Sequence, residues 1–341
     1  MNRIASGLIA AGALALALAA PGGAQEAAAN AGQELASVDL KEWQVPWAQT
    51  RPRDPFAVSP SEVWFVGQGG HYAARLNPES GEFTRFELGE NVGPHNLIVG
   101  EDGQVWYAGN LASHIGRLDP ATGEIEKIMM PDAAARDPHT LVFDQAGDIW
   151  FTVQGGNFLG KLTRATNEVQ LIAVPTPRAR PYGIEIAEDG TVWAVLFGSN
   201  KLVSVDPATM ALTEHPLPRE GARPRRLGLT DDGRVWYVDY AEGMLGAFDP
   251  RSGSFEEWAA PSGTASRPYS MAVDGKNRIW MVETGVQPNR FVGFDTASER
   301  YFAAADIPSG GGTVRHMHYH APSSTVWFGT DAGTIGRAAV D

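Results

Sequence analysis

Cysteine is absent from all 341 residues, so no disulfide can hold this fold together and its stability must come from packing and hydrogen bonds. Long apolar runs are scarce as well. The one near the N-terminus, Leu8 to Ala19, is shorter than the ~20 residues a bilayer span requires, and it stops at Pro21-Gly22-Gly23. Helical periodicity is missing from every segment longer than a turn, which makes the fold all-β. Basic residues are too few for a nucleic-acid partner. The 27 Lys and Arg stand against 40 Asp and Glu, a formal net charge of -13, whereas a phosphate backbone demands a basic face. On net charge, a neutral or positively charged small ligand is easier to accommodate.

What the N-terminus does contain is the grammar of export. Arg3 supplies a positive start, the short apolar run follows, and Gly22-Gly23-Ala24 offers small residues for cleavage, so residues 1–24 read as a secretory signal peptide. The expectation is a mature protein without a membrane span that begins near Gln25 and works in the periplasm. Residues 25–37 carry few apolar anchors and read as a flexible leader. Residues 38–341 read as a single domain, and a monomer is expected.

That domain is repetitive. Tryptophan recurs at positions 64, 106, 150, 193, 236, 280 and 327, giving spacings of 42, 44, 43, 43, 44 and 47 residues. Each unit opens with a proline before a short apolar strand, as in Pro94-His95-Asn96-Leu97-Ile98. Several units then place Asp-Gly at a tight turn: Asp102-Gly103, Asp189-Gly190, Asp232-Gly233. The tryptophan lies on the second strand, a third resembles Ile115-Gly116-Arg117-Leu118, and a fourth resembles Ile125 to Ile128. Seven units of four short strands predict a seven-bladed β-propeller of antiparallel blades. The seventh unit stops after three strands, while a spare strand-like segment, Val38 to Val45, precedes the first. The N-terminal strand should therefore complete the last blade and close the ring, leaving no open edge. The tryptophans are read as filler between blades, with no chemistry of their own.

The candidate chemistry lies eleven positions before each tryptophan, where His95, His139, Tyr182, Arg225, Tyr269 and His316 recur, with Phe56 given the same place in the first unit. A constant offset implies one spatial ring, and the start of the innermost strand lines the channel mouth. Imidazoles, phenols and a guanidinium converging there suit a small-molecule ligand in the central channel, bound as an anion or an oxygen-rich group, or worked on by an acid-base side chain. The alternative is a set of polar groups that merely face water and one another. At the end of the second strand the units carry Gln68, Asn110, Gln154, Asp239, Glu283 and Asp331, and the three acids are candidate oxygen ligands for Mg²⁺. In the last unit His316, His318 and His320 alternate on one strand. His318 falls where other units put an apolar core residue, so it is either buried and hydrogen-bonded or, on a displaced strand, part of the site. His320 is expected to be solvated.

The repeated segments Pro181-Tyr182-Gly183-Ile184, Val63-Trp64-Phe65 and Ile115-Gly116-Arg117-Leu118 resemble those of the virginiamycin B lyase (streptogramin B lyase) family, over nearly the whole mature chain. The resemblance implies the seven-bladed ring. It also implies a lyase, tied to antibiotic resistance, that opens the ester of a cyclic depsipeptide by β-elimination. There a histidine of the last blade removes the α-proton, Mg²⁺ held by two glutamates supports the developing negative charge, and a histidine of the preceding blade assists. Carried across, His316 matches the base and Asp331 the second metal carboxylate, one methylene shorter. Val314 stands where the first carboxylate belongs and Tyr269 where the assisting histidine belongs, with Glu283 or Asp239 as neighbouring acids that would restore a ligand. The leading expectation is an exported lyase of this type with His316 as base. Its rival is a non-catalytic periplasmic ligand-binding or sensor propeller in which His95, His139, Arg225 and the tyrosines recognise a ligand without turnover. A metal-binding lactonase-type propeller ranks third, since such rings usually have six blades.

Overall fold

The computed structural model describes residues 35–341; the signal-peptide reading of 1–24 and most of the leader lie outside the described residues. Seven four-stranded antiparallel sheets form the ring, each running in chain order from the channel outwards, except the last. Its sheet is completed by the strand Leu40–Gln44, which pairs with Thr334–Ala339 in the register Trp43↔Ile335. Trp43 then stacks on Trp327 with ring centroids 5.6 Å apart. The closing strand predicted from Val38 to Val45 is thus present. The chain just before it is also engaged: Ala36 exchanges backbone hydrogen bonds with Phe302 and Ala304 on the outer strand of the sixth blade.

The tryptophans take the structural role read for them. All seven are buried, at 5 % exposure or less. Each reaches across to the next blade: Trp236 packs with Met271 and Met281, and Trp106 with Leu141 and Phe151. Burying an indole leaves its N–H to satisfy, and residues in or beside the first hairpin of the blade do so in five blades, while Trp106 Nε1 has no partner. Trp280 donates to Asp274 Oδ2 at 2.8 Å, Trp236 to Thr230 Oγ1 at 3.0 Å and Trp327 to Thr325 Oγ1 at 3.1 Å. The Asp-Gly turns hold Gly103, Gly190 and Gly233 at φ of 75°, 87° and 83°, a conformation glycine adopts without strain.

The site is set by the inner strands Pro52–Ser59, Pro94–Val99, Pro138–Phe143, Pro181–Ile186, Pro224–Leu229, Pro268–Val273 and Val314–His320. In each, pairing with the second strand is interrupted just after the first residues, a bulge that turns successive side chains toward the channel. The residue before the opening proline is left-handed in several blades (Arg51, Asp137, Arg180 and Arg267, with φ from 43° to 71°), so the chain enters each inner strand through a tight corner.

Candidate functional site

Strand register, rather than distance from tryptophan, decides which side chains share a level of the channel. Pro52, Pro94, Pro138, Pro181, Pro224 and Pro268 pair with Gly67, Gly109, Val153, Leu196, Asp239 and Glu283, and Val314 pairs with Thr330. The next residue in each blade forms the upper tier: Arg53, His95, His139, Tyr182, Arg225, Tyr269 and Arg315. Five of the six ring residues read from the sequence are therefore equivalent, and two positions change. Arg53, not Phe56, represents the first blade, because Phe56 pairs with Trp64 and sits three residues further along the channel. Arg315, not His316, represents the seventh. The cause is a longer hairpin: Leu97 pairs with Tyr107 and Met271 with Met281, ten residues on, whereas Met317 pairs with Phe328, eleven on.

His316 consequently belongs to a second tier with Asp54, Asn96, Thr140, Arg226 and Ser270, and this tier bridges the channel. Arg226 reaches across to donate to Thr140 Oγ1 at 3.0 Å and to the Arg315 carbonyl at 3.0 Å, and it lies 3.5 Å from Asp54 Oδ2. Asp54 also accepts from Arg53 Nε and Asn96 Nδ2, each at 3.1 Å. Arg226 and Asp54 are 3 % and 1 % exposed. Burial would raise the Asp54 carboxyl, but Arg53 and Arg226 hold it below the usual range, so the pair stays charged.

Above the bridge the groups are crowded and cationic. The His95 and His139 rings lie 3.4 Å apart between centroids, His139 lies 3.9 Å from Tyr182, and the Tyr182 and Tyr269 hydroxyls hydrogen-bond each other. Arg225 donates to Tyr269 Oη at 3.1 Å and is sandwiched by Phe197 and Tyr240, whose centroids are 3.6 and 4.3 Å from its guanidinium carbon. Burial and the surrounding arginines push both His95 and His139 well below the usual imidazole range, leaving them neutral. His316 is driven down to about 3, by burial first and Arg226 second, with Asp54 opposing. Burial acts to raise the Tyr182 phenol, yet Arg53, Arg226 and Arg225 outweigh it and bring it below its ordinary value. Arg51, Arg180, Arg223 and Arg267, each just ahead of an opening proline, crown the same mouth. Arginines thus gather at this mouth although the whole chain is acidic, a distribution that net charge alone does not reveal.

The three acids read as metal ligands are not brought together. Asp239 and Glu283 lie one residue before the strand-end position of Gln68, Asn110, Gln154 and Asp331, and one residue on a strand is the opposite face. Glu283, fully buried, accepts from the backbone N–H and hydroxyl of Ser262, both at 2.8 Å. Asp239, equally buried, accepts from the N–H of Arg223 at 2.8 Å and of Ala241 at 3.0 Å. Burial raises both carboxyls. Asp331 does face the mouth, where Arg315 clasps it with both terminal nitrogens, one at 2.6 Å, and Arg51 approaches to 3.6 Å. Among the described residues no group of three His, Asp or Glu side chains is placed to hold a metal ion. Asp331 is already neutralised by two guanidinium groups and Val314 is buried in the core between blades, so these two positions do not fit Mg²⁺.

The last-blade histidines settle between the two alternatives read for them. His318 stacks on Phe56 at 4.4 Å between centroids and lines the channel below the bridge. His320 is buried, not solvated, and shares a hydrogen bond with Ser323 Oγ at 2.6 Å. Residues that sequence reasoning missed are Arg53, Asp54, Arg226, Arg315, Phe197 and Tyr240. Arg53 stands eleven before Trp64, so the offset already pointed to it.

Comparison with known proteins agrees with this ring. The virginiamycin B lyase family profile matches residues 24–205, more than half of the chain. A streptogramin B lyase structure superposes with a TM-score of 0.79 at 23% identity, covering 89% of this chain and 98% of that one. A catalytically inactive histidine-to-alanine variant of virginiamycin B lyase from Staphylococcus aureus, solved with quinupristin, superposes at 0.79 with 21% identity, covering 89% and 100%. The hydrazine synthase of Kuenenia stuttgartiensis shares the ring at 0.70 with 16% identity, covering 87% and 98%. No curated sequence matches. The structural likenesses speak for the fold, and the profile match places the chain within a family: it belongs to the virginiamycin B lyase family.

Proposed function

We propose that this chain is an exported ligand-binding propeller whose arginine-crowned mouth holds a small, oxygen-rich anion such as a carboxylate. One observation carries the reading. In the upper tier Arg53 Nη2, His95 Nδ1, His139 Nε2 and Arg225 Nε, and in the tier below it Ser270 Oγ and His316 Nδ1, are buried and have no hydrogen-bond partner. A buried polar atom without a partner costs about 1–3 kcal/mol, and a carboxylate reaching the upper tier would accept from several of these donors at once. Fixed guanidinium groups add charge without the flexibility of lysine. Titration calorimetry with acetate, succinate and citrate tests it: binding should strengthen with the number of carboxylates, weaken with salt, and drop about tenfold or more in Arg225→Ala. Equal binding of a neutral amide analogue would overturn it.

A lyase reading has its own supporting observation. His316 is neutral, its Nδ1 is free, and Arg226 beside it supplies the fixed positive charge that an enolate-like oxygen needs. A base held near 3 takes a proton poorly at neutral pH, but an anionic substrate would offset the arginine field and raise it. Incubation with a streptogramin B antibiotic, followed by mass spectrometry of ring opening, tests this against His316→Ala. Linearisation lost in the variant supports turnover, and an intact antibiotic assigns the channel to binding alone.

A further inference from the structure

Beneath the bridge of Arg226, Asp54, Asn96 and Thr140, the inner strands run on toward the opposite face of the ring and line an open chamber of about 470 Å³. Its walls differ in kind from those above. Ile98, Val142, Ala272 and Phe56 line it with hydrocarbon and an aromatic ring, and the wall carries one carboxylate, Glu185. Glu185 occupies the register position of Ile98 and Val142: it pairs with Trp193 as they pair with Trp106 and Trp150. The fourth blade has thus placed an acid at a level where the second, third and sixth place Ile98, Val142 and Ala272, the fifth Gly228 and the seventh His318, which burial keeps low and neutral against Phe56. The cation closest to hand, Arg226, is committed to Thr140, Asp54 and the Arg315 carbonyl.

We propose that this lower chamber is a second binding site, for a small organic cation with an apolar body, whose charge lies against Glu185 and whose hydrocarbon lies along Phe56, Ile98 and Val142. A carboxylate on an apolar wall costs desolvation unless a counter-charge joins it, and burial already pushes its carboxyl up to about 7. An anion would be repelled. A neutral apolar guest would strip water from the acid without replacing it. An ammonium or quaternary amine meets both demands. The volume lies within the range of small-molecule sites.

The experiment uses the mature protein and three probes of one shape: hexyltrimethylammonium, hexanol and hexanoate. Calorimetry should show binding of the cation, weaker binding of the alcohol and none of the acid. Glu185→Gln should weaken the cation about tenfold or more while its circular dichroism spectrum stays that of the folded protein, and Arg225→Ala, on the other side of the bridge, should leave cation binding unchanged. In the wild-type protein the cation should shift the methyl resonances of Ile98 and Val142. Equal affinity for cation and alcohol, full affinity in Glu185→Gln, or shifts confined to residues above the bridge would each overturn the proposal.

Discussion

The two ends of the channel are built by the same seven strands and are opposite in character. Above the Arg226–Asp54 bridge the side chains are guanidinium, imidazole and phenol, crowded against one another. Below it the wall is aliphatic, with one acid and a histidine stacked on Phe56. The difference arises within two or three residues of each strand, because the bulge aims the opening residues at the axis and regular pleating follows it. A propeller can therefore carry two unlike channel ends on one set of strands if something closes the channel between them. Here that is one charge pair.

Removing the pair is the most direct way to break the contrast. Arg226→Ala leaves Asp54 buried beside Arg53 without its cross-channel partner, and chemical denaturation should show a loss of about 3–5 kcal/mol. The double variant Arg226→Leu with Asp54→Asn should recover part of it, and no recovery would mean that the pair is not energetically coupled. Next in size is the lower acid. The folded-state value of Glu185, about 7, lies above its ordinary 4.5, so the penalty for charging it is absent below 4.5, grows through that window and is complete above 7. Glu185→Gln should therefore gain about 2 kcal/mol at pH 8 and nothing at pH 4. The upper end answers in the opposite sense. His95, His139 and His316 have values depressed below 6.5, so unfolding takes up protons there and stability falls as pH drops below 6.5. The loss between pH 6.5 and 5 should be about 1–2 kcal/mol per imidazole, and His316→Asn should remove its share. The smallest effect belongs to the rim. Arg315→Ala breaks the pair with Asp331, yet thermal unfolding should move by less than about 1 kcal/mol, since partly exposed pairs contribute little. A much larger loss would show that the rim helps hold the bridge, through the Arg315 carbonyl that Arg226 uses.

The ring was readable from the tryptophan spacing because blade-to-blade packing demands one large side chain per unit at one strand position. So was the closing strand, since a sheet one strand short must find an edge partner. The upper tier was nearly readable for the same reason, with His95, His139, Tyr182, Arg225 and Tyr269 at one offset. What failed was counting across an irregularity. One extra residue in the last hairpin moved His316 down a level and put Arg315 in its place. A one-residue difference at strand ends likewise turned Asp239 and Glu283 into the blades and left Asp331 at the mouth. The bridge was hidden for another reason: Arg226 and Asp54 lie in different blades, and only the closed ring brings them within reach.

Ring closure also sets an order on folding. The strand Leu40–Gln44 leaves the ribosome before any blade and finds its partner, Thr334–Ala339, only after six blades and most of the seventh have followed it. Every blade but the last can form from its own neighbouring residues, and the circle cannot shut until Thr334–Ala339 arrives. The nascent chain is thus held as an open arc, with one sheet unfinished, until the last blade has been made.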